Sequence, residues 1–181
     1  MLIKHSTSNG IVILYAVLLV SIVLVISLSL FNITYKQLVL SSVAQESQKA
    51  FFASDTARNC SKFLDITPDS NGIYPFGHYN TSAHSYTSPQ SGSIVCAGVI
   101  ISTTVSQFTI PTGTFDRTSF SFPVAGQSCA RVTVDKNTNP DNRLTTITAS
   151  GYNLCDNSSG PYQPAQNNRT VERTVRTEYS G

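Results

Sequence analysis

Charge is scarce in this sequence. Asp, Glu, Lys and Arg make up 12 % of its 181 residues, roughly half the usual share of a globular protein. Serine, threonine and asparagine take their place, which predicts a polar but uncharged surface. A formal net charge of +2 is too small to draw nucleic acid by its field alone. Glycine and proline are absent from Ile11 through Thr67, so nothing in that stretch is built to break a helix. No glycine-rich phosphate loop and no Gly-x-Ser-x-Gly elbow occurs, which removes the commonest sequence grounds for nucleotide chemistry and serine hydrolysis. Histidine is limited to His5, His78 and His84. The His78-x5-His84 pair has no Cys-x-x-Cys or acidic partner nearby, and a place on a surface loop suits it better than a metal site. The expectation is a protein that is not an enzyme, with no metal, no cofactor and no small-molecule substrate.

What the chain does have is one long apolar run. Ile11 to Phe31 reads IVILYAVLLVSIVLVISLSLF, uncharged and interrupted only by Ser21, Ser27 and Ser29. At about 1.5 Å per residue a helix of that length crosses the ~30 Å hydrocarbon core of a bilayer. Apolar positions then continue through a more polar stretch at Ile33, Leu38, Val39, Val43, Ala50, Phe51, Ala57 and Leu64. Their spacing of three to four keeps a stripe on one helix face. The spacing predicts one continuous helix from Ile11 to about Leu64, membrane-embedded in its first half and amphipathic in its second. Pro68 and the Asp69-Ser70-Asn71-Gly72 cluster end it.

The four cysteines, Cys60, Cys96, Cys129 and Cys155, all follow the apolar run. An even count in a Ser/Thr-rich region beyond a membrane segment predicts two disulfides in an oxidising space. Three connectivities are open; order and nearness favour Cys60–Cys96 and Cys129–Cys155. Paired thiols also leave no cysteine nucleophile. Lys4 and His5 precede the run and Lys36 is the first charge after it, a positive-inside pattern that places Met1 in the cytoplasm and the bulk outside.

Residues 72–92 hold Gly, Pro, Ser and Asn with Tyr74, Tyr79 and Tyr86 and no periodicity, and read as a loop. Those tyrosines with His78 and His84 form a sticky patch or pack down on the sheet. Ser93–Ser102 reads as one buried β-rich run. Phe108 and Ile110, Phe115, then Phe120 and Phe122 alternate with polar residues on either side of a turn at 111–113. Residues 130–134 and 144–149 alternate around the turn cluster 135–142, a hairpin signature. Asp135, Asn137, Asn139 and Asp141 resemble the opening of a calcium loop, but Pro140 stands where glycine is needed and no glutamate closes it, so a turn is preferred. Residues 153–168 read as loop. In 170–179, Val171, Arg173, Val175 and Thr177 share one strand face, and Glu172, Thr174, Arg176 and Glu178 form an opposite-charge row on the other. The sum is an α+β fold: a long N-terminal helix, apolar first and amphipathic second, packed on an antiparallel sheet of about four to six strands.

A family resemblance rests on two features of the helix. Gly10 directly before Ile11 and a ~20-residue apolar run resembles the class III leader of type IV prepilins. The stretch Gln45–Ala57, with Ala50, Phe51, Ala53 and Ala57 in place and Ser54 and Asp55 standing for Ala and Glu, is similar to a motif of PilX-type minor pilins. Together these cover about residues 8–64. The resemblance implies cleavage between Gly10 and Ile11 and an assembly helix whose faces include Ile11, Tyr15, Leu19, Ile22 and Ile26. Tyr15 stands where major pilins carry glutamate, which points away from a bulk subunit. Residues 1–10 would be leader, 11–31 the transmembrane and filament-core helix, 32–65 its amphipathic continuation, and 66–181 a β-rich domain with a variable loop over 66–92. Implied partners are other pilin subunits, a prepilin peptidase and the pilus assembly machinery, with the membrane as partner before assembly; nucleic acid is a family ligand that nothing in the residues supports. Implied localisation is the inner membrane, single-pass with the N-terminus in the cytoplasm, then an extracellular filament serving adhesion, motility, aggregation or DNA uptake. A prokaryotic source would leave the Asn-x-Ser/Thr triplets at Asn32, Asn80, Asn157 and Asn168 unglycosylated. The alternative is a single-pass protein displaying a β-rich binding module at the cell surface.

Overall fold

A computed structural model describes residues 9–69, 71–156, 162–167 and 169–180. Of the expected leader, residues 1–8 lie outside the described residues, as do Asn157 and Asn168. One helix, α1, runs Asn9–Ile66 without interruption for 58 residues, as the absence of glycine and proline allows. The chain divides into two compact units, the first ending at Ala44 and the second running Gln45–Gly181, so the division falls inside α1. At its C-terminal end the amide of Thr67 still bonds to the Phe63 carbonyl (3.0 Å). Pro68 stops the helix, and Asp69 folds the chain back by accepting from the Asn71 and Ile73 amides at 2.9 and 2.8 Å.

The second unit is built on a five-stranded antiparallel sheet. Its strands are β5 (Thr104–Ile110), β6 (Gly113–Pro123), β7 (Cys129–Asn137), β8 (Leu144–Tyr152) and β11 (Glu172–Ser180). They lie in the order β11-β8-β7-β6-β5, with register fixed by pairs such as Phe122↔Ala130, Val134↔Ile147 and Ala149↔Val175. Side chains alternate across the sheet. Phe120, Phe122, Ala130, Val132, Val134, Ile147 and Ala149 form the buried face with Ala57 of α1. The opposite-charge row on β11 is exposed at Glu172, Thr174, Arg176 and Glu178, and Val175 and Thr177 are half-buried.

Three short two-stranded ladders complete the unit, and all three correct the reading of the sequence. β1 (His78–Asn80) and β2 (Ser85–Thr87) form a hairpin within residues 72–92. With three residues per strand there was no room for a periodic pattern to show. Ser93–Ser102 is not one buried run but β3 (Ser93–Cys96) and β4 (Val99–Ser102), paired across a two-residue turn. Both turn residues, Ala97 (φ 51°) and Gly98 (φ 77°), adopt the left-handed geometry that matches strand twist. Ile94, Cys96 and Ile101 are buried, but Val95 and Ile100 face out. Residues 153–168 hold a third, minimal ladder of β9 (Cys155–Asp156) with β10 (Gln163–Pro164).

Candidate functional site

The first candidate is the part of α1 that lies in the first unit. Every described side chain from Ile11 to Ala44 is exposed, including Ile11, Tyr15, Leu19, Ile22 and Ile26. Gly10 and Ile11 lie in the first turn of α1. An 18-residue window reaches a mean hydropathy of 3.2 with none of it buried; by length and composition this helix can cross a membrane. The polar interruptions do not spoil it. The Ser21, Ser27, Ser29 and Thr34 hydroxyls donate to the carbonyls of Leu18, Val23, Val25 and Leu30 at 2.7–2.9 Å, so their hydrogen-bond demand is met within the helix. Transfer of the Ile, Val, Leu and Phe side chains of Ile11–Phe31 is favourable by on the order of 5 kcal/mol on an insertion scale. The segment therefore has a strong drive toward an apolar environment and no partner in the first unit to supply one.

The second candidate lies wholly within the second unit, where residues 45–66 of α1 seat on the sheet. The contact face keeps Ala50, Ala57 and Leu64 of the stripe that the spacing predicts and departs from it at Phe51. Ala50, Ala53, Ser54, Ala57 and Ser61 are buried, whereas Phe51 and Phe52 are 50 % and 65 % exposed and Phe63 and Ile66 are also out. The cause is the closeness of the backbones. A Cβ on Gly151 of β8 would lie 2.1 Å from the Ala50 carbonyl oxygen and 2.3 Å from the Ser54 amide nitrogen, so only small side chains fit between helix and strand. Asp55, on the same stretch of α1, pairs with Arg58 at 2.8 Å.

Polar anchors hold both ends of this seam. At one end Asn153 donates to Glu46 Oε2 (2.9 Å) and to the Arg169 carbonyl (3.0 Å) and accepts from the Val171 amide (2.6 Å). Arg173 Nε donates to Ser47 Oγ at 2.8 Å. The Asn153 bond, then Lys49, holds the Glu46 carboxyl below its ordinary range. At the other end Asp65, on the last turn of α1, meets Lys136 of β7 at 2.6 Å, with both side chains nearly inaccessible. Tyr179 donates its hydroxyl to Asp65 Oδ2 (2.7 Å) and Lys136 donates to the Gly77 carbonyl (2.8 Å). Burial first, and the Asp65 charge second, push the Tyr179 hydroxyl up and the Tyr79 hydroxyl up to about 12. Two disulfides, Cys60–Cys96 and Cys129–Cys155, tie α1 to β3 and the start of β7 to β9; this is the connectivity that order and nearness favour.

Of the tyrosines of 72–92, Tyr79 and Tyr86 pack inward, whereas Tyr74 is half-buried beside the exposed His78. Tyr79 is buried, donates to the Asn137 carbonyl and lies 5.1 Å from the Tyr86 ring. His78 stacks on Tyr74 at 4.0 Å, apart from His84 at the hairpin turn. Asp135 is engaged by both Nε and Nη2 of Arg117 (2.7 and 2.9 Å). No cluster of three or more His, Cys, Asp or Glu placed to hold a metal occurs among the described residues.

Sequence reasoning missed Asp65, Lys136, Gly151 and Asn153. Two of them had a visible signal. Lys136 is in phase with Ala130, Val132 and Val134, a lysine on the core face, and Ile147, Ala149 and Gly151 shrink in phase toward the close approach of α1. Asp65 reaches Lys136, 71 positions away, and Asn153 reaches Glu46, 107 positions away, which no local pattern shows. Comparison of the chain with protein-family models, curated proteins and solved structures finds no match.

Proposed function

We propose that the chain is a type IV pilin-like subunit, most similar to PilX-type minor pilins, that assembles through α1 into a surface filament. The observation that carries this reading is the unbroken Asn9–Ile66 helix, apolar and exposed over its first part and lined with small residues where it meets the sheet. In the membrane the apolar segment contacts lipid; in a filament the same side chains contact copies of themselves or other pilins, and apolar burial replaces lipid contact. Tyr15 carries no charge into that core, which suits a minor subunit. The two disulfides and the buried Asp65–Lys136 pair support a domain that persists outside the cell. Adhesion, motility, aggregation and DNA uptake are the roles the family offers. Prepilin peptidase and the assembly machinery are the partners.

The test is the N-terminus of the chain purified from cells that make a prepilin peptidase. A mature chain beginning at Ile11, and loss of that product in Gly10→Val, is the expected result. A chain that retains residues 1–10 in the presence of active peptidase overturns the reading and leaves a membrane-tethered β-domain.

A further inference from the structure

One row of side chains crosses the core face of the sheet in register and is polar from edge to edge. Gln107 of β5 pairs with Asp116 of β6, Asp116 with Lys136 of β7, Lys136 with Thr145 of β8 and Thr145 with Tyr179 of β11. Asp116, Lys136 and Thr145 are buried. Asp65 of α1 meets Lys136 from above the sheet, so two buried carboxylates face one buried amine. Asp116 accepts from Gln107 at Oδ1 (2.8 Å), while its Oδ2 has no hydrogen-bond partner. A buried charge without a partner is costly, and Asp116 has no ion pair among the described residues.

The contact between Lys136 and Asp65 is itself out of the ordinary. In the other ion pairs among the described residues the charged nitrogen also donates a hydrogen bond to its carboxylate. Lys136 Nζ lies 2.6 Å from Asp65 Oδ1, yet not along a hydrogen-bond direction, and Oδ1 has no hydrogen-bond partner at all. The nitrogen donates instead to the Gly77 carbonyl (2.8 Å), and Oδ2 accepts from the Tyr179 hydroxyl (2.7 Å). Close approach without hydrogen-bond direction is what a nucleophile makes toward a carboxyl carbon, not what an ammonium makes toward an oxygen. The Lys136 and Asp65 side chains are 4 % and 5 % exposed, so water is kept from both.

We propose that Lys136 and Asp65 condense into an intramolecular amide, with Asp116 relaying the proton. Before the bond forms the two are an ion pair. Burial penalises both charges, and passage of one proton from nitrogen to carboxylate removes both. The Nζ lone pair then attacks the Asp65 carboxyl carbon. The C–N bond forms, the C–Oδ1 bond breaks, and Oδ1 departs as water with its own hydrogen and one taken from the nitrogen. Asp116, directly across the ladder from Lys136, takes that hydrogen from the nitrogen, passes it to Oδ1 and is itself unchanged. The Tyr179 hydroxyl holds the negative charge that develops on Oδ2, and the Gly77 carbonyl orients the amine. Two groups held in contact react as if at on the order of 10⁵ M or more, so the step needs no activated donor. The amide ties the end of α1 to β7, the central strand of the sheet. It lies wholly within the second unit and forms whether or not the chain enters a filament.

The test is mass spectrometry of the full chain, purified in detergent micelles, then reduced, denatured and digested with trypsin. The expected result is no cleavage after Lys136 and one fragment that joins residues 63–117 to residues 132–143, lighter than the sum of the two by about 18 Da, one water. Asp65→Ala and Lys136→Arg should give no joined fragment, the second while keeping a positive charge at the site. Asp116→Asn should form it about a hundredfold more slowly after synthesis. Wild type that releases residues 63–117 and 132–136 as separate fragments of full mass overturns the proposal whatever the variants do, so a variant that fails to fold does not decide the matter. Loss of water confined to residues 63–117 overturns it too and marks a cyclic imide instead. A joined fragment that Asp116→Asn forms at the wild-type rate overturns the relay assigned to Asp116.

Discussion

Gly151→Ala is expected to be among the most damaging single-methyl additions in the second unit. The new Cβ would fall 2.1 Å from the Ala50 carbonyl oxygen, 2.3 Å from the Ser54 amide nitrogen and 3.0 Å from the Ala53 carbonyl carbon. All three are backbone atoms of a helix, so no side chain can rotate away. To restore ordinary contact, α1 must lift from β8 by more than about 1 Å, which loosens Ala50, Ala53 and Ala57 together. Overpacking costs about 1–3 kcal/mol in general, and a backbone neighbour puts this site at the upper end or above, ~3 kcal/mol. For a domain of this size that lowers Tm by about 10 °C. The assay is thermal unfolding of the full chain in micelles by circular dichroism. Gly92→Ala is the control, since a Cβ there meets nothing within 4 Å and should change stability by less than about 0.5 kcal/mol. Adding Ala50→Gly to Gly151→Ala should not restore stability, because the obstruction is the carbonyl and not the methyl. A Gly151→Ala protein that melts within 2 °C of wild type would refute the close-approach argument, at roughly 0.5 kcal/mol or less.

Other expectations follow from the same contacts. Asp65→Asn should destabilise by about 3–5 kcal/mol in urea unfolding, because it strands the buried Lys136 charge; adding Lys136→Met should recover most of that loss, and an additive double mutant would argue against the pair. At alkaline pH, Tyr79 ionises in the folded chain near pH 12 but near 10 when unfolded. Its stabilising contribution is therefore complete below about pH 10 and vanishes as pH rises through about 12. Absorbance at 295 nm should show Tyr79, Tyr86 and Tyr179 titrating late and with unfolding; eight tyrosines titrating together near pH 10 would contradict it. Reduction should lower stability by about 3.5–4 kcal/mol per bond, from the 36- and 26-residue separations of the two disulfides; unchanged melting in dithiothreitol would remove them from the account. Ile22→Arg should cut membrane insertion, at about 2.5–3.5 kcal/mol for a charge at the helix centre, measured as carbonate-resistant protein.

The long elements were legible in the sequence because their signals are local. An uncharged run free of glycine and proline gives α1, and the alternation of Ala130, Val132 and Val134 before the turn cluster 135–142 gives the β7–β8 hairpin, although β7 runs on through Asp135–Asn137 before the chain turns. The sheet's α+β setting followed from their sum. What escaped was set by contacts between distant residues. Phe51 reads as a stripe residue by spacing, yet Gly151 brings the backbones so close that only alanine and serine fit, and the phenylalanine turns out. Ser93–Ser102 reads as one apolar run because its turn is Ala97-Gly98, apolar and small rather than polar. Tyr79 and Tyr86 sit in three-residue strands too short for a period to emerge; Tyr79 meets Asn137 and Lys136 and Tyr86 meets Asp116, all far along the chain. The Asp65–Lys136 pair joins a helix end to the far side of a hairpin, and only the out-of-place lysine hinted at it.

The account turns on whether the apolar part of α1 is an assembly handle or a fixed anchor. The most direct measurement is mass spectrometry of filaments sheared from the surface of cells that make the chain, beside their membrane fraction. The assembly reading predicts the chain in the sheared material with Ile11 as its first residue. A chain confined to the membrane fraction with residues 1–10 intact, while other pilins appear in the sheared filaments, would contradict it.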